Sequence, residues 1–109
     1  GLSEAERSIL YNMSENVKVS QILACTGLRE SVSESDSVFA IKFIDGDRAL
    51  KIASIKKEEE QLKSLLQDST INGVEREIYA QALGLIPKRI NQENELANTI
   101  IKHIKRATR

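Results

Sequence analysis

Residues 38–54 read VFAIKFIDGDRALKIAS, and how this stretch folds decides the class of the whole chain. Phe39, Ile41 and Phe43 alternate with Ala40 and Lys42 at the period of two expected of a half-buried strand. Asp45-Gly46 then supplies the dipeptide that favours a two-residue type I′ turn, whose central positions both need positive φ. With that turn, Ile44 pairs with Asp47, Phe43 with Arg48, Ile41 with Leu50 and Phe39 with Ile52. One face of the hairpin is then large and apolar, while Ala40, Lys42, Ala49 and Lys51 form a small or cationic face. A slip by one residue would mix the two, so the register is specified. Two strands are marginal alone, so the apolar face must lie against helices or further strands.

Outward from the hairpin the chain reads as helix. Ser3-Glu4-Ala5-Glu6 is a capping box, and Ile9, Leu10 and Met13 continue it as a stripe to about Ser14. VKVSQILACTGL opens with a short extended piece, and Ser20 begins a brief helix that ends at Gly27. RESVSESDS has Val32 as its one apolar residue and reads as a polar loop; Ser33 and Ser35 there lie among acidic residues, a setting that suits an acid-directed kinase. Beyond Ile55, KKEEEQLKSLLQ places Leu62, Leu65 and Leu66 on one helical face. Asn72-Gly73-Val74-Glu75 is a second capping box, followed by the stripe Val74, Ile78, Ala82 and Leu83. Pro87 interrupts, and a last helix from about Asn91 carries Leu96, Ala97, Ile100, Ile101 and Ile104. The expected fold is α+β: a small antiparallel sheet, at least the 38–54 hairpin, packed with several helices. It is expected as a single domain or a fragment of one over 1–109, with leading helices and loop at 1–36, the hairpin at 37–55 and helices at 56–109.

Composition agrees with a folded single domain. Of 109 residues 40% are apolar and only 4% aromatic, with no Trp, so the core must be aliphatic. The apolar runs are too short to span a membrane, and the acidic start GLSEAERSIL lacks the apolar segment of a secretory signal. Cys25 is alone, which fits a reducing compartment, nuclear or cytoplasmic. The net charge is zero but uneven: the first 36 residues carry −3 and the last 23 carry +4. A basic end of this kind suits phosphate or an acidic partner, but its charges form no dense patch, so it reads first as a solvated helix terminus whose cations complement the helix dipole.

Most chemistry-bearing motifs are missing. His103 has no Cys or His at metal spacing, and Asp45 and Asp47 lack the rest of a calcium loop. No G-x-S-x-G, H-E-x-x-H or G-x-x-x-x-G-K-[ST] occurs.

Ala49-Leu50-Lys51-Ile52, on a strand followed by Glu-rich helices, has the A-x-K pattern of a kinase strand three. The order SILYNMSENVKVSQIL, SESDSVFAIKF, DGDRALKIAS, EREIYAQALGL resembles the N-lobe of haspin-type serine/threonine kinases over roughly residues 8–85. The resemblance implies that Lys51 holds the nucleotide phosphates, oriented by Glu75 or Glu77, and that Val38 and Ala49 enclose the adenine. It implies ATP with Mg as cofactors, a nuclear setting, and a protein substrate or a partner C-lobe. The chain contains neither H-R-D nor D-F-G, so it would be the ATP-positioning half and not competent alone. Glycines are also missing from SVSESDSV, where such kinases place a Gly-rich loop.

Two other classes compete. One is a non-enzymatic α+β interaction or dimerisation module, docking through Ile90, Ala97, Ile100, Ile101 and Ile104, with a homo-oligomer formed through helix 91–107. The other is a winged helix, with residues 29–37 as recognition helix and the hairpin as wing. Its acidic, serine-rich recognition segment would be repelled by phosphates, which weighs against nucleic acid as a partner.

Overall fold

The computed structural model describes residues 3–27 and 30–109, without the side chains of residue 5 and residues 8–14. The stripe expected at Ile9, Leu10 and Met13 lies outside these described side chains. Among the described residues there are four helices: α1 (Glu4–Gly27), α2 (Glu34–Gln67), α3 (Gly73–Gly84) and α4 (Ile86–Ala107). The chain divides into two compact units, residues 1–45 with 99–109, and residues 46–98. Both α2 and α4 contribute to each unit.

The α+β expectation is therefore corrected: the fold is all-helical, and no hairpin forms at 38–54. Among the described residues β-type pairing is confined to an isolated bridge between Val32 and Thr108. Residues 38–54 instead lie in the middle of the 34-residue helix α2. Its inward positions follow the helical period across the whole supposed hairpin: Ser37, Ala40 and Ile44 are buried, Arg48 and Ile52 half-buried, and Ile55 buried again. Leu50, expected opposite Ile41, is 74% exposed. Phe39, Ile41 and Phe43 satisfy an alternating template only because a helix with one wide apolar face also places residues there. Gly46 has no left-handed φ, so the dipeptide Asp45-Gly46 continues the helix rather than turning it. Asp47 and Lys51 then form an i,i+4 ion pair at 3.0 Å, which only helical geometry allows.

The kinase N-lobe reading falls with the hairpin. Without strands there is no strand three for Lys51 to occupy, and the haspin-like function loses its structural basis. The winged-helix reading falls for the same reason, since residues 30–33 are not helical and the wing is helix.

Elsewhere the boundaries follow local chemistry. The Glu6 N–H donates to Ser3 Oγ at 3.2 Å, as expected of a cap at the start of α1. That helix runs unbroken through Val17-Lys18-Val19, where the sequence suggested an extended piece; Val19 and Ile22 are buried, one turn apart. Ser33 caps α2, its Oγ accepting from the Asp36 N–H at 3.3 Å. Asn72 caps α3: the Glu75 N–H donates to Asn72 Oδ1 at 2.8 Å, and the Glu75 carboxylate reaches back to the Asn72 side-chain amide, Nδ2 donating to Oε1 at 2.9 Å, rather than to the Asn72 backbone N–H of a capping box. Pro87 does not interrupt a helix; it sits in the first turn of α4, where its missing N–H has no partner to lose. Helix α4 thus begins five residues earlier than Asn91.

In the unit of residues 1–45 and 99–109, the core contains Val19, Ile22, Val32, Ala40, Ile44 and Ile104. Thr108 Oγ1 donates to the buried Ser37 Oγ at 2.8 Å, which satisfies that hydroxyl without water. Lys18 stands 4.4 Å from the centroid of the Phe39 ring and 3.8 Å from the Asp36 carboxylate, joining α1 to α2. In the unit of residues 46–98, Ile55, Ile86 and Ala97 are buried. Arg89 Nη1 donates to Glu58 Oε2 at 2.6 Å, tying α4 to α2. Arg76 of α3 donates to the carbonyls of Leu66 and Asp68 at 2.9 and 3.3 Å, covering carbonyls at the end of α2.

Candidate functional site

Each residue singled out by sequence has a definite place. Lys51 is exposed on α2, and its ammonium is held by Asp47, whose hydrogen bond and charge raise the Lys51 pKa above the ordinary lysine value. Ala49 is exposed two residues earlier, and Val38 is 62% exposed near the start of α2. Glu75 closes the cap of α3 with Asn72, and Glu77 is exposed on the same helix. Among the described residues no ion pair joins Lys51 to Glu75 or Glu77.

The stripe on α4 expected as a docking face is turned inward. Ala97 is 5% and Ile104 0% exposed, and Ile90, Ile100 and Ile101 are half-buried. Spacing alone shows that a helix has an apolar face, not whether the chain itself covers it.

Single exposed apolar residues occur on other helices, among them Leu50 on α2 and Leu96 on α4, but α3 lines up several of them. This helix buries no residue fully. Its inner face is half-buried at Glu75, Tyr79, Ala82 and Leu83. A second strip, Val74, Ile78, Gln81 and Leu85, follows the spacing i, i+4, i+7, i+11 and faces solvent. Val74 is 69%, Ile78 56% and Leu85 53% exposed. Sequence reading merged the two strips into one, Val74-Ile78-Ala82-Leu83, because neighbouring apolar strips on a short helix cannot be separated by periodicity.

The other feature is an open cavity of about 300 Å³ in the unit of residues 1–45 and 99–109, lined by Thr26, Glu30, Ser31, His103, Arg106 and Ala107. Partial burial, together with a hydrogen bond to the neighbouring Glu30 carboxylate, pushes the Cys25 thiol above its ordinary pKa. Among the described residues no group of three or more His, Cys, Asp or Glu could hold a metal ion. No helix among them is long and apolar enough to cross a membrane.

No protein-family model matches this chain, and neither a curated protein nor a solved structure matches it.

Proposed function

We propose that the chain is a helical protein-interaction module that pairs with a second copy of itself through the outer strip of α3. The observation that carries this reading is the exposure of Val74, Ile78 and Leu85 on a helix that buries nothing fully. A line of exposed apolar side chains on a short helix, here interrupted by Gln81, is stabilised by being covered.

The strip is self-complementary. About a two-fold axis midway between Tyr79 and Ala80, an antiparallel pair sets Val74 against Leu85 of the second copy and Ile78 against Gln81, with both contacts repeated by symmetry. The charges agree with that direction. The exposed Glu77 lies toward the N-terminal end of α3, where Arg76 is turned to the carbonyls of Leu66 and Asp68, and Lys88 follows its C-terminal end. Antiparallel pairing therefore separates like charges and opposes the two helix dipoles. Zero net charge adds no long-range repulsion between copies. One short helix falls below the roughly 800 Å² per partner of a stable interface, so the dimer is weak and concentration-dependent.

Sedimentation equilibrium between about 10 µM and about 1 mM, the range of weak association, tests this. The wild type moves from monomer toward dimer, while Ile78→Lys stays monomeric with an unchanged helical circular dichroism spectrum. A wild type that remains monomeric throughout overturns self-pairing and leaves the strip to a helix of a different protein.

A further inference from the structure

The segment from Glu30 to Ser37 holds four serines, and the fold treats them differently. Ser37 is buried and accepts the Thr108 hydroxyl. Ser33 is half-buried and engaged as the cap of α2. Ser35 lies inside the first turn of α2, with the apolar Val38 three residues on. Ser31 is exposed and outside any helix, and Glu34 stands three residues after it.

Its position is fixed by its neighbour. Val32 is 4% exposed; its N–H donates to the Ala107 carbonyl at 2.8 Å, and its carbonyl accepts from the Arg109 N–H at 3.1 Å. This anchors Ser31 beside the last turns of α4, in the same cavity as His103 and Arg106. An exposed serine outside the helices with an acidic residue at +3 meets the sequence requirement of an acid-directed kinase. A cavity holding an imidazole and a guanidinium meets those of the product, since a phosphoserine adds nearly two negative charges and three acceptor oxygens.

We propose that Ser31 is a phosphorylation site for an acid-directed protein kinase using ATP, and that His103 and Arg106 receive the phosphate. The Ser31 hydroxyl oxygen attacks the γ-phosphorus of ATP. The new Oγ–P bond forms as the bond from that phosphorus to the β,γ-bridging oxygen breaks; ADP leaves, and the hydroxyl proton passes to the kinase's base. Glu30 shares the cavity and opposes the new charge, while its carboxylate accepts a hydrogen bond from the Cys25 thiol. The net charge of +4 over the last 23 residues works the other way. Phosphorylation therefore clamps segment 30–33 onto the end of α4.

The test treats the intact chain with an acid-directed serine kinase and MgATP, maps the phosphate by mass spectrometry, and measures melting before and after. Expected are a single phosphate on Ser31, lost in Ser31→Ala, and a rise in melting temperature of about 4 °C at low salt. That rise is halved or more in 0.5 M NaCl and absent in Arg106→Gln. Arg106 is exposed, so the unphosphorylated variant should melt as the wild type does; His103→Gln, also at an exposed position, supplies a second reading. Modification of Ser33 or Ser35 instead, no incorporation, or an equal rise in both variants overturns the proposal.

Discussion

At the scale of single residues, the polar contacts that matter join different helices. Glu58 and Arg89 are both partly exposed, yet their hydrogen bond at 2.6 Å is short and charge-assisted. Arg89 holds the Glu58 carboxyl below the usual glutamate range, chiefly through that hydrogen bond and next through its charge. A depressed folded pKa means stability that is present above the unfolded value of about 4.3 and is lost as pH falls through the folded value. Glu58→Gln is thus expected to melt slightly below the wild type at pH 7. The gap should close as the wild-type carboxyl protonates in acid. Melting curves from pH 7 down to about pH 2.5, below the usual glutamate range, check this, and a gap constant with pH would mean the pair contributes nothing.

At the scale of elements, α2 turns on Gly46. A glycine inside a helix costs about 0.5–1 kcal/mol relative to alanine, because it has more backbone freedom to lose. A Cβ at Gly46 would meet nothing within 4 Å. Gly46→Ala should therefore stabilise the protein by about 0.5–1 kcal/mol in urea unfolding. In a type I′ turn the same change would force alanine to positive φ and destabilise instead, so the sign of one measurement separates helix from hairpin. The N-caps at Ser3 and Asn72 and the end of α1 at Gly27 were legible, because caps are local chemistry written in a few residues. The class of α2 was not. Phe39 to Ile44 satisfies periods of two and of 3.6 equally over six residues. The arbiter is the continuation of the helical period from Ser37 through Ile55 to the half-buried Leu62 and Leu66, and that lies beyond any window centred on Asp45-Gly46. The residues assigned to a nucleotide site shared this fate, since Lys51 was singled out only as part of a strand.

At the scale of the whole molecule, a chain with few aromatics depends on a handful of aliphatic side chains. Among the described residues the largest that are fully enclosed are Ile86 and Ile104, both on α4 and one in each compact unit. Inward and outward positions on that helix therefore predict opposite tolerances. Ile104→Ala removes a side chain with 0% exposure and should cost about 2–5 kcal/mol, the loss of transfer free energy plus the cavity left behind. Against a total stability of about 5–15 kcal/mol that is a large share. Leu96, 55% exposed on the same helix, should tolerate alanine within about 0.5 kcal/mol. Urea midpoints of the two variants, with helicity followed by circular dichroism, decide the matter. If Ile104→Ala unfolds at the wild-type midpoint, the stripe of α4 is not the core and the face proposed on α3 loses its distinction. If only Ile104→Ala falls, the inward line of α4 carries core and the outward position of Leu96 does not.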